Sequence, residues 1–169
     1  MSTINTEALV KAVGKNSRSE PAQKMLSELN ISEQDLKPHP LGLVGHRFWS
    51  NDEKGLQLEF EDIGLLENIP YHDIDDGPWT LTKLVFWGVR KKKPTYSSIL
   101  PYGLNFYTSR EATRKKFRDD GFGEATQMGL SGEVDMWNIG STEITIDFSG
   151  DEKAIRCIAI GVPINRNEI

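Results

Sequence analysis

The chain has 169 residues, with 37% hydrophobic and 27% charged positions and a formal net charge of −5 at neutral pH. That length and mixture suit one folded domain with a core of its own, expected to span residues 1–169. No apolar run approaches the ~20 residues of a membrane-spanning helix, and the single cysteine, Cys157, rules out an internal disulfide.

The N-terminal stretch MSTINTEALVKAVG has neither a basic leader nor a long apolar run, so a cytoplasmic rather than an exported protein is expected. Within it Leu9, Val10 and Val13 recur at helical spacing, with Gly14 as a stop. SEPAQKMLSELN predicts a second helix. Ser19 caps it, Pro21 suits its first turn, and Ala22, Met25, Leu26 and Leu29 make one apolar stripe. ISEQDLKPHPLG reads as a turn and linker, broken by Pro38 and Pro40.

The period then changes. HRFWS reads as a strand. GLQLEFED alternates, with Leu56, Leu58 and Phe60 on one face and Gln57, Glu59 and Glu61 on the other. LLENIPYHDI is a weaker strand candidate because of Pro70, and LTKLVFWGVR a stronger one. KKKPTYSSILPYG reads as a loop. TSREATRKKFRDDG predicts a helix. Thr108 and Glu111 are spaced as a capping box, Ala112, Lys116 and Phe117 are expected inside, and Arg110, Arg114, Lys115 and Arg118 outside. GFGEATQMG follows a helix and precedes a strand, the wrong order for a phosphate cradle, and reads as a loop. EVDMWN, TEITIDFSG and AIRCIAIGV are expected strands, with Cys157 a buried thiol rather than a nucleophile.

The two halves echo each other. Each gives a helix, a tryptophan-bearing strand, a polar turn, an alternating strand ending in Phe, and a final apolar strand. In that echo Trp49 aligns with Trp137, and Leu56, Leu58 and Phe60 with Ile144, Ile146 and Phe148. The expected fold is α+β: a curved antiparallel sheet with helices packed on one face. A duplication would divide it into helix-plus-meander half-units, 1–80 and 81–169; generic hairpins would give a similar echo by chance.

The segments LVKAVGKNSRSEPAQKMLSEL, FWSNDEKGLQLEFED, LPYGLNFYTSREATRKKF and ITIDFSGDEKAIRCIAI together resemble a group of small bacterial immunity proteins. Those are encoded beside polymorphic toxins, including toxins of contact-dependent growth inhibition. The helix–Trp–meander unit also resembles the repeat of β-lactamase-inhibitor-like and outer-membrane assembly lipoprotein-like domains, although the chain has no lipidation cysteine near its start. The immunity resemblance implies a cytoplasmic protein that is not an enzyme. It would bind and neutralise the C-terminal domain of a cognate toxin by stoichiometric occlusion, and it carries no residue-level motif.

Charge is laid out in blocks. From 55 to 82 the charged side chains are Glu59, Glu61, Asp62, Glu67, Asp73, Asp75 and Asp76, with no Lys or Arg among them. From 83 to 118 ten basic residues face one acid, and from 119 onward ten acids face three bases. His72 among Asp73, Asp75 and Asp76 offers metal-ligating atoms, but neighbours on an extended chain point apart, and neither a calcium loop nor a zinc pattern is present. No nucleophile elbow, Walker loop or dinucleotide fingerprint occurs, so no metal, cofactor or catalytic site is expected. The basic stretch 90–118, interleaved with Tyr96, Tyr102 and Tyr107, offers an alternative: a nucleic-acid-binding or regulatory patch. The net acidity weighs against it.

The acidic stretch suits docking on a basic protein surface, such as the phosphate-handling site of a nuclease toxin. The expected partner-binding residues are Glu59, Glu61, Asp62, Glu67, Tyr71, Asp73, Asp75, Asp76 and Trp79. Carboxylates would steer association and aromatics would anchor it. The plainer reading is that DIDDGP is a polar turn, with Tyr71 and Trp79 in the core.

Overall fold

A computed structural model describes residues 3–163; the expected domain's outermost residues, 1–2 and 164–169, lie outside that range. Eight strands form one antiparallel sheet. They are β1 (Lys37–Pro38), β2 (His46–Asn51), β3 (Leu56–Asp62), β4 (Trp79–Trp87), β5 (Thr126–Met128), β6 (Val134–Ile139), β7 (Thr142–Phe148) and β8 (Ile155–Gly161). The spatial order is β1-β2-β3-β4-β8-β7-β6-β5, two meanders joined where β4 pairs with β8. The helices are α1 (Thr6–Lys11), α2 (Glu20–Glu28), α3 (Ile63–Leu66) and α4 (Arg110–Asp119). The α+β class is as expected.

One row of paired residues explains both the core and the echo. Trp49, Leu58, Leu84, Ile160, Ile144 and Trp137 lie side by side across six strands. The four central members are fully buried, and α1, α2 and α4 cover this face through Leu9, Met25, Leu26 and Phe117. Because side chains alternate along a strand, Leu56, Phe86, Ile158 and Ile146 make the next buried row on the same face. The pairing sets Leu58, not Leu56, level with Ile144, two residues away from the alignment expected from sequence. The cause is turn length: four residues separate paired Asn51 and Leu56, whereas two separate Ile139 and Thr142. The division at residue 80 falls inside β4.

Other expectations are corrected. LLENIPYHDI is not a strand; it forms the single turn of α3 and then irregular backbone, with Asn68 and Tyr71 at positive φ. The linker contributes edge strand β1, and GFGEATQMG contributes edge strand β5. The cap of α4 is Ser109, whose side chain accepts from the Ala112 N–H, rather than Thr108.

The inner face of α4 is Arg110, Thr113 and Phe117, while Ala112 is exposed. Arg110 turns inward because fully buried Asp135 on β6 waits there. Arg110 donates to both Asp135 oxygens (Nε 3.2 Å, Nη2 2.6 Å), and Arg114 does so too (Nε 2.6 Å, Nη2 2.8 Å). Burial pushes the Asp135 carboxyl up, but the bonds from Arg114 and Arg110 outweigh it and hold it below the ordinary value. The described residues contain no helix long and apolar enough to cross a membrane.

Candidate protein-docking surface

At the end of β3 the chain turns on Asp62. Its side chain is fully buried and accepts three backbone N–H bonds, from Gly64 (2.7 Å), Asp75 (3.2 Å) and Gly77 (2.7 Å). The first of these caps α3; the other two draw the acidic loop back onto the strand end. His72 Nε2 sits 2.9 Å from Asp62 Oδ1, out of line for a hydrogen bond. Gly64 leaves room for that ring: a Cβ there would clash with His72.

The β1–β2 loop closes on the same hub. The Gly45 N–H donates to Asp75 Oδ1 (2.8 Å), and the Asp62 N–H donates to the Gly45 carbonyl (2.8 Å). Gly45 has φ +80°, and a Cβ on it would lie 2.8 Å from Leu65 Cδ2 and 2.9 Å from Ile74 Cγ2, so the loop packs directly on α3 and the acidic loop. Arg47 ties the lobe to the sheet. It donates to Asp75 Oδ1 (3.1 Å) and lies 4.5 Å over the Trp79 ring.

The nine expected docking residues therefore separate. Asp62 and Trp79 are corrected: both are buried, one as the hub of the loop and one in the core, where the Trp79 N–H donates to Ser17 Oγ (2.8 Å). Asp75 is exposed but bound to Arg47 and Gly45. Glu59 and Glu61 are half-buried on the helix-free face of the sheet; Glu59 accepts from Gln57 (3.2 Å) and Glu61 lies 3.6 Å from His46. Glu67, Asp73 and Asp76 are exposed and make no ion pair among the described residues. Tyr71 is fully exposed at φ 63°, a conformation uncommon for a bulky residue.

Sequence reasoning missed the apolar part of this surface. Leu41, Leu43 and Val44 of the β1–β2 loop stand exposed, as do Leu65, Leu66, Ile69 and Ile74, and Leu65 and Ile74 lie against Gly45, next to Val44. The signal was present as three large aliphatics inside a Gly- and Pro-rich run, where turn residues are expected. Leu43 and Leu66 also line a cleft of about 610 Å³ on the sheet face away from α1, α2 and α4, with Glu59, Lys83 and Gly161 among its other walls.

The basic stretch is largely paired within the fold. Arg90 and Lys93 meet Asp52, Arg110 and Arg114 hold Asp135, and Lys115, Lys116 and Arg118 meet Asp119, Asp120 and Glu124. Of its three tyrosines, Tyr96 is buried with its hydroxyl bonded to Thr6, Tyr102 packs edge-on to Phe117 and Phe122, and only Tyr107 is exposed. Cys157 is half-buried on the sheet face away from α1, α2 and α4, not in the core as expected; there burial first, and then Asp147, push its thiol up to about 11. Among the described residues no group of three or more His, Cys, Asp or Glu is placed to hold a metal ion. Comparison with known family models, curated proteins and solved structures finds no match to this chain.

Proposed function

We propose that this chain is an immunity protein of a bacterial polymorphic-toxin system. It acts in the cytoplasm, binds the C-terminal domain of a cognate toxin of the nuclease class, and neutralises it by one-to-one occlusion, without chemistry of its own. The observation that carries this reading is the lobe built on Asp62. It presents Glu67, Asp73 and Asp76 with no ion pair among the described residues, together with exposed Tyr71 and a set of exposed aliphatics. Unpaired carboxylates raise the encounter rate with a phosphate-handling, basic surface, and apolar neighbours exclude water once contact is made. The rival reading, nucleic-acid binding through residues 90–118, loses support because most of those cations already have carboxylate partners in the fold.

The test is a kinetic titration against the toxin domain encoded immediately upstream, at about 0.05 and 0.5 M salt, where the screening length falls several-fold. The expected result is tight one-to-one binding whose association slows with salt. Replacing Asp73 and Asp76 by Lys should slow association further and leave folding intact. No binding at either salt concentration overturns the assignment for that domain.

A further inference from the structure

The same lobe carries more apolar surface than a steering patch needs. Leu43 and Val44 come from one loop, Leu65 and Leu66 from α3, and Ile69 and Ile74 from the loop after it; all six are exposed, Val44 by 64%. They are not isolated, since Leu65 and Ile74 flank the backbone at Gly45, next to Val44, and Leu43 lines the same cleft as Leu66. Nor are they carried on loose chain. Both loops are bonded to Asp62 and Asp75, so the patch is held in place before any partner arrives. Contiguous exposed aliphatics on a rigid frame mark an interaction surface.

We infer that this patch is the anchor of the docking surface, and that it seats a protein face with an apolar centre and a Lys- or Arg-bearing rim. The charge around it selects that occupant. Glu67, Asp73 and Asp76 stand beside the aliphatics with no ion pair among the described residues. An anionic lipid surface or a nucleic acid would meet carboxylates. A second copy of this chain would bring the same carboxylates against each other. The inference rests on the immunity reading only in taking the partner to be a protein. It assigns residence time to the aliphatics and encounter rate to the carboxylates.

Two amphipathic helical peptides serve as probes, one of Leu and Lys, one of Leu and Glu, with the Leu, Ile and Val methyl signals of the protein as readout. The Leu/Lys peptide should shift the methyls of Val44, Ile69 and Ile74 and bind at least tenfold more tightly than the Leu/Glu peptide. A Val44→Ser, Ile69→Ser double variant should fold normally, because both positions are exposed, and abolish the shift at the one reporter methyl group it keeps, that of Ile74. Equal response to both peptides, or shifts confined to other methyls, overturns the inference. So does a dimer in sedimentation that the double variant dissolves, because a second copy would then be the occupant. With the upstream toxin domain, the double variant should raise the off-rate at least tenfold at an unchanged on-rate. Tight binding with an unchanged off-rate sinks this inference alone. Docking of the Leu/Lys peptide without any binding of the toxin domain sinks the functional reading alone.

Discussion

Replacing Asp62 tests whether one buried carboxylate organises the docking lobe. Its two oxygens accept the N–H groups of Gly64, Asp75 and Gly77. In Asp62→Ala the Asp75 donor, partly open to solvent, can turn to water, while the Gly64 and Gly77 donors are buried and lose their acceptor. Each stranded donor costs about 1–3 kcal/mol, so the expected loss is about 4 kcal/mol. Asp62→Asn keeps one carbonyl acceptor but turns an amide N–H₂ toward the remaining donors, so roughly half that loss is expected. Urea unfolding gives the global cost. Amide exchange at Gly64, Asp75 and Gly77 shows whether the lobe opens before the sheet. If Asp62→Ala stays within about 0.5 kcal/mol of the parent and those three amides keep their protection, the carboxylate is not the organising group and the account of a rigid lobe fails.

Trp79→Ala should lower stability by about 3–5 kcal/mol, roughly 6–20 °C in Tm, because it empties a core site, whereas Tyr71→Ala, fully exposed, should stay within about 0.5 kcal/mol; thermal unfolding of the pair decides. Asp135→Asn strands two arginines, one of them buried, and should cost about 3–5 kcal/mol at neutral pH. Because the folded Asp135 carboxyl titrates below its unfolded value of about 4, its contribution is complete above that pH and is lost as pH falls through the lower, folded value. The gap between parent and Asp135→Asn should therefore hold above about pH 4 and narrow only below it, as read by urea midpoints across the pH range. With its thiol pushed up to about 11, Cys157 should react with a thiol reagent at pH 8 far more slowly than a free cysteine. Only about one thiol in a thousand is ionised there, so a rate matching free cysteine would contradict the raised thiol value.

Much of the scaffold was legible in the sequence, and particular residues show why. The alternation of Leu56, Leu58 and Phe60, and of Ile144, Ile146 and Phe148, follows from a period-two backbone with one face in the core, which hydropathy records directly. α2 carried its own start signal in Ser19 and Pro21. The face of α4 was misread because hydropathy places arginine outside. Arg110 is inside only because Asp135, distant in sequence, is buried opposite it. The offset in the internal echo was likewise hidden, since turn length becomes register only when strands pair.

The candidate surface divides in the same way. Sequence alone determined that one stretch is acidic and free of Lys and Arg, and that its alternating strand sends Glu59 and Glu61 away from the core. It could not separate Asp62 from Asp73, which are chemically identical and differ only in what the folded backbone brings to them. Three N–H groups converge on Asp62 and make burial tolerable, whereas Asp73 meets solvent. Nor could sequence bring Leu43 and Val44 beside Leu65 and Ile74. That neighbourhood exists because β2 and β3 pair antiparallel, which sets the loop entering one strand against the loop leaving the other. Local pattern fixes which face a side chain takes. Only strand pairing and loop closure decide which side chains become neighbours, and in this protein the docking surface is made of neighbours.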